Sequence, residues 1–210
     1  EMTESPRRLK PIDLYYHFYS ADRYDSLYSL KKIYEWVDRQ DIHPLWSSEY
    51  ARMVESSHLT SIYKLKKSHW RIINNGKNQT FRIGNGNTYP DLEKSKGIIG
   101  YRVHQGECYV FSDGREIVDL VLLGQPSTVP YLHSSNVRLS NARFSKDGFS
   151  FSFKNLSHRN AEVVIGGCSD LKQLSVFIMG KQHLIKPDSK GAVLIKLNEK
   201  QGKVTYSKED

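Results

Sequence analysis

Few residues in this chain have a type and spacing suited to chemistry. The segment Leu14-Tyr15-Tyr16-His17-Phe18-Tyr19 places one imidazole at the end of an aromatic run. Histidine titrates near neutrality, so His17 can give a proton to a leaving group if its surroundings open on a pocket. A structural histidine, hydrogen-bonded at a strand end, is the alternative. The remaining histidines, His43, His58, His69, His104, His133, His158 and His183, are scattered without an HxxxH pair and offer no metal-ligand spacing. Cys108 and Cys168 form no CxxC, so one bridge and two buried thiols both remain open. Gly84-Asn85-Gly86-Asn87 lacks the Gly-Lys-Ser/Thr ending of a phosphate loop and precedes no helix. Asn78-Gln79-Thr80 and Asn155-Leu156-Ser157 match glycosylation acceptors, a pattern common by chance.

The elements around His17 come next. Residues 12–16 form a short apolar and aromatic run after Pro11, which predicts a buried strand. Leu27, Leu30, Ile33, Tyr34 and Val37 then recur at spacings of three and four, the stripe of an amphipathic helix, with Asp25 or Ser26 as N-cap. Trp36 stands beside that stripe and is expected in the core. His43-Pro44 marks a stop, and Ser47 or Ser48 caps a second short helix to about Val54. A strand and two helices bury little surface by themselves, so residues 1–56 need something to pack on.

Beyond Leu59 the period changes to alternation. Strands are predicted at 60–65, 70–73, 80–83, 98–103, 108–111, 117–122, 137–139, 149–153, 161–165, 174–178, 183–185, 192–197 and 203–206. Turn signals such as Asn75-Gly76, Asp113-Gly114 and Asp147-Gly148 separate them. Phe149-Ser150-Phe151-Ser152-Phe153 is strict alternation, one face apolar and one polar. The fold expected is mainly β: an antiparallel sandwich or jelly roll over 57–210, preceded by the terminal strand-helix unit of an incomplete α/β domain over 1–56.

Composition supports that division. All 14 glycines follow residue 75, and 7 of the 13 tyrosines lie in the first 50 residues. The net charge of +8 is also unevenly held, at −2 for residues 1–56 and +10 for 57–210. No run of about 18 apolar residues exists to span a membrane as a helix, and no apolar stretch follows the first charges, as a signal peptide would require. The densest basic cluster, Lys64, Lys66, Lys67, Arg71, Lys77 and Arg82, reads as a solvated strand face or as a track for an anionic polymer. No nucleic-acid motif accompanies it, so no nucleic-acid partner is expected.

The segment from Pro11 to Ser20, the Ser26-Leu27 helix, and Pro44-Leu45-Trp46-Ser47-Ser48-Glu49-Tyr50-Ala51 resemble the C-terminal part of the deacetylase domain in Pel-type exopolysaccharide proteins, relatives of the polysaccharide deacetylases. The resemblance continues through Trp70-Arg71-Ile72, Pro90-Asp91-Leu92, Ser95, Gly97, Gly100-Tyr101 and Pro130-Tyr131-Leu132. Leu14-Tyr15-Tyr16-His17 matches the family's Leu-x-x-His motif at the end of a barrel strand. The resemblance implies that His17 is the general acid protonating the departing amine and that Leu14 walls the pocket for the acetyl methyl. It also implies an extracytoplasmic, periplasmic location, with an N-acetylated hexosamine exopolysaccharide and other export proteins as partners.

The family's zinc-like divalent metal is held by an Asp and two His from earlier barrel strands, and none of those motifs is present here. No metal ligand or cofactor is therefore assigned to this chain, which is expected to be inactive without the remainder of the barrel. Tyr16, Tyr19 and Trp46 join Leu14 as candidate substrate contacts, since sugar C–H faces stack on aromatic rings. Trp46 is placed either at the barrel mouth or sealing the domain junction, and Trp70 either in the core or at a ligand. A non-catalytic carbohydrate-binding or partner-docking sandwich is the competing function. A deacetylated polymer is cationic, so a basic β region reads as solubility or product release rather than grip.

Overall fold

A computed structural model describes residues 11–40, 42, 44–84, 87–156 and 160–208. The chain divides into two compact units, Glu1–Ile42 and His43–Asp210. The boundary expected from composition, between residues 56 and 57, lies later than this division. His43, Asn85, Gly86, His158 and Ser157 fall outside the described residues.

In the first unit, residues 12–16 are not a strand. They run without regular hydrogen bonding through His17, whose backbone is extended (φ −83°, ψ 144°), into a 3₁₀ turn at Phe18–Ala21. A strand needs a hydrogen-bonded neighbour, and the described residues of this unit supply none. The helix α1 follows at Tyr24–Val37. Its N-cap is Arg23, with no side-chain cap, while Asp25 sits in the first turn where its charge suits the helix dipole. No residue of α1 is buried. Ile33, Tyr34 and Trp36 are 44%, 43% and 48% exposed, so the expected apolar stripe exists but Trp36 is not core.

The second unit begins with α2, Ser47–Leu59, whose N-cap is Trp46 rather than a serine. The Glu49 carboxylate accepts the Trp46 N–H at 3.3 Å. The helix passes the expected end at Val54 and closes where the Thr60 hydroxyl donates to the Ser56 carbonyl at 2.8 Å. It is tied to the β region by side chains: Ser56 to Asn75, and Glu49 to Arg138. Burial pushes the Glu49 carboxyl up, but the Trp46 N–H and the Arg138 guanidinium outweigh it and hold the group below its ordinary value.

The strands are β1 Ser61–Lys66, β2 His69–Ile73, β3 Thr80–Ile83, β4 Tyr89–Pro90, β5 Ile98–His104, β6 Glu107–Ser112, β7 Ile117–Leu123 and β8 Tyr131–Ser135. They continue as β9 Arg138–Ser145, β10 Gly148–Lys154, β11 Ala161–Gly166, β12 Leu174–Ile178, β13 Lys181–Ile185, β14 Val193–Leu197 and β15 Gln201–Ser207. The chain is mainly β, 45% strand and 16% helix, in antiparallel sheets consistent with a sandwich. Among the described residues three sheets form, in the orders β1-β2-β7-β4, β13-β12-β15-β10-β9 and β14-β11-β8-β5-β6-β3. The expected strands are present with ends moved by one or two residues, except that the one expected at 137–139 runs on to Ser145.

Two cores are built on opposite faces of the six-stranded sheet. Neighbouring residues of β5 show this: Ile99 belongs to one core, Ile98 and Tyr101 to the other. The larger core joins Leu132, Val163, Ile165, Val193 and Ile195 to Phe149, Phe151, Phe153, Val176 and Val204 of the five-stranded sheet. The smaller joins Cys108 and Val110 to Ile72, Val118 and Leu120 of the four-stranded sheet. The join between β5 and β8 is a parallel bridge, Gly100 opposite Leu132. A Cβ on Gly100 would lie 2.0 Å from the Leu132 carbonyl oxygen, so only glycine permits this approach.

Cys108 and Cys168 are free and buried, one in each core. Burial pushes both thiols from 9.0 to about 11. The fold holds the protonated form, so this contribution is complete below pH 9 and is lost as pH rises from 9 through 11, where unfolded thiols ionise first. Neither thiol should therefore react with iodoacetamide near neutral pH until the chain unfolds. Urea midpoints should fall as pH passes 9, and the Cys108→Ala/Cys168→Ala chain should show a shallower fall.

Candidate functional site

His17 is exposed. Its ring stacks on Tyr19, with centroids 4.8 Å apart and planes 8° from parallel, and meets the Tyr15 edge at 5.3 Å. Tyr16 points its ring edge to Tyr34 of α1 at 6.3 Å. The Ser20 amide donates to the His17 carbonyl at 2.9 Å, the bond that starts the 3₁₀ turn. Tyr15, Phe18 and Tyr19 are 84%, 88% and 56% exposed, and Leu14 is half-buried. Of the sequence-derived site residues, His17 and Tyr19 are thus brought into contact, with Leu14 and Tyr16 on the same extended segment. Trp46 belongs to the second unit, where it is 66% exposed at the start of α2.

The described residues contain no group of three or more His, Cys, Asp or Glu placed to hold a metal ion. The basic cluster is partly consumed by local pairing. Arg71 donates to Asp119 through two nitrogens at 2.8 and 3.1 Å, Arg82 pairs with Glu107 at 3.3 Å, and Lys64 lies 5.5 Å over the Trp70 ring. Trp70 packs against the smaller core. The resemblance segments near Tyr101 and Tyr131 also meet there, their rings stacked at 4.3 Å, which gives them a structural role.

A second arrangement lies on the outer face of the five-stranded sheet. In register across its five strands stand Gln182, Phe177, Thr205, Ser150 and Arg143. Directly opposed residues point to the same face, and Phe149, Phe151, Val176, Ile178, Val204 and Tyr206 between them point into the core. Two residues along β10, Gly148 stands between Ser145 of β9 and Ser207 of β15. The face opens there as a groove of about 540 Å³ lined by Arg143, Phe144, Asp147, Ser150, Phe177 and Thr205 among others. Gln182 donates to the Ser175 hydroxyl at 2.6 Å. The polar half of this row is signalled by the serines alternating with Phe149, Phe151 and Phe153. Phe177 and Arg143 carry no such signal, because their place depends on which strands become neighbours.

Comparison of the chain with known protein families, with curated proteins and with solved structures finds no match.

Gly148 should be intolerant of substitution. Its φ is +150°, and an added Cβ would lie 2.1 Å from the Tyr206 carbonyl oxygen, where β10 and β15 are hydrogen-bonded. Gly148→Ala is expected to cost about 2 kcal/mol in urea unfolding, whereas Ser150→Ala, with its side chain on the outer face, should cost well under that.

Proposed function

We propose that this chain is the C-terminal part of an exopolysaccharide N-deacetylase, removing N-acetyl groups from a hexosamine polymer only when the rest of the barrel joins it. One observation carries the reading: His17 ends the Leu14-Tyr15-Tyr16-His17 run with its ring exposed and held by Tyr19. A proton donor must be reachable and fixed in direction, and a flanking ring limits its rotation. In this role His17 donates a proton to the nitrogen of the departing amine, and Leu14 walls the acetyl methyl. The metal that would supply a nucleophile belongs to the missing strands. The α1 helix, with an apolar stripe and no buried residue, is the natural surface for those strands to cover.

The second reading, a carbohydrate-binding sandwich without catalysis, is favoured by the groove on the five-stranded sheet. The two separate by experiment. Combined with a polypeptide carrying the barrel's metal-ligand motifs, the chain should release acetate from N-acetylated hexosamine polymer. His17→Ala should lower that turnover by ~10²- to 10⁴-fold, with circular dichroism and melting temperature unchanged. Undiminished acetate release by the variant would remove His17 from the chemistry and leave the binding reading.

A further inference from the structure

We infer that the free edge of β1 is a docking strip for an extended acidic peptide, which joins the four-stranded sheet as a further strand. Neither His17 nor the groove takes part. The strand β1 ends the order β1-β2-β7-β4, so it pairs with β2 on one side and, among the described residues, has no strand on the other. Alternate N–H and C=O groups of an end strand point outward and can pair with a strand from another chain. All six residues of β1 are exposed. Ile62, 61% exposed, stands opposite Ile72, which is buried in the smaller core, so the apolar surface of that core reaches solvent at this edge. Tyr63, 52% exposed, stands opposite Arg71 on the other face. A strand laid against β1 would therefore cover apolar side chains on both of its faces.

Charge selects the occupant. Arg71 and Arg82 of the basic cluster are paired with Asp119 and Glu107, but among the described residues Lys64, Lys66 and Lys67 make no ion pair. Lys64 lies over the Trp70 ring, and all three are exposed. Lysines on an edge strand guard against pairing with a copy of the same strand, because two such edges side by side would set like charges against one another. The same lysines favour a strand that carries Asp and Glu. The ladder with β2 shifts register between Lys64 and Lys66, which bends the edge there, so regular pairing is confined to residues 61–64. The fitting ligand thus has a short apolar centre to meet Ile62 and Tyr63. Carboxylates flank that centre and reach the lysines of the bulge and of the turn that follows.

The full 210-residue chain is titrated with the end-blocked peptide Asp-Glu-Val-Tyr-Val-Glu-Asp, whose symmetry suits either strand direction. It should shift the backbone amides of Ile62, Tyr63 and Lys64, and added salt should weaken it. A counterpart with Pro in place of both Val keeps the charge but cannot pair as a strand. A second counterpart, with Lys in place of the acids, keeps the strand and reverses the charge. Each should bind weaker by about tenfold or more. Lys64→Glu/Lys66→Glu/Lys67→Glu should lose affinity for the acidic peptide by a similar factor, and Ile62→Ser should weaken it too, with the circular dichroism of both chains unchanged. Equal binding of the Pro peptide, or the same amide shifts produced by heparin, would mark a plain anion surface and overturn the proposal. So would self-association of the chain that Ile62→Ser abolishes, which would place a second copy at the edge. Amides of β1 that do not respond to the acidic peptide, or unchanged binding by both variants, would overturn it as well.

Discussion

Two apolar cores share a single six-stranded sheet, one on each of its faces, and the second unit depends on the register of that sheet, including the shift between Ile98 and Gly100 that lets Ile98 and Tyr101 serve one core and Ile99 the other. A slip of one residue in β5 would carry Ile98, Ile99 and Tyr101 away from the cores they fill. The parallel contact of Gly100 with Leu132 prevents such a slip, because any residue with a Cβ at that place meets the Leu132 backbone. The larger core in turn holds the five-stranded sheet, and its inward phenylalanines on β10 oblige the intervening serines to face outward. The groove is therefore a by-product of the same alternation that makes the core.

Local pattern was enough to read most of this architecture. Strands that alternate strongly, such as β10 and β12, announce themselves, as do the turns between them. The strand β8 does not, although it lies in the middle of the six-stranded sheet. Its residues Tyr131, Leu132, His133, Ser134 and Ser135 supply one buried apolar side chain, and its position is set by backbone proximity to Gly100. The second half of β9 is hidden for a related reason: Asn141 has φ +52° and the pairing with β10 shifts register between Ser150 and Ser152, so the period is broken there. The failure at residues 12–16 is of the opposite kind. Apolar and aromatic content suits a strand, but content cannot provide a neighbour.

The same distinction separates the two candidate sites. His17 is legible because its neighbours in the chain are also its neighbours in space: Tyr15 and Tyr19 flank it in both senses. The row across the five-stranded sheet draws one residue from each of five strands, spread from Arg143 to Thr205, and only sheet order assembles it. Charge is intermediate. The net +8 points to a polyanion when treated as one number, but the pairing of Arg71 with Asp119 and of Arg82 with Glu107 shows part of it committed to holding strands together. The groove on the five-stranded sheet is lined by one cation, Arg143, and one anion, Asp147, so the net positive charge is not gathered there.

The two units stand in different relations to stability, and this bears on what each can do. The second unit buries two cores and positions its groove with its own residues. The described residues of the first unit form an extended segment, a 3₁₀ turn and a helix of 14 residues without a buried side chain. Isolated helices shorter than about 12–15 residues are marginal in water even for favourable sequences, and this one lacks a side-chain N-cap. Its order must come from whatever covers Leu27, Leu30, Ile33, Tyr34 and Val37. Side chains mounted on such a segment, His17 among them, gain a buried surrounding only when that cover is in place, whereas the groove of the second unit is formed by strands that its own cores hold.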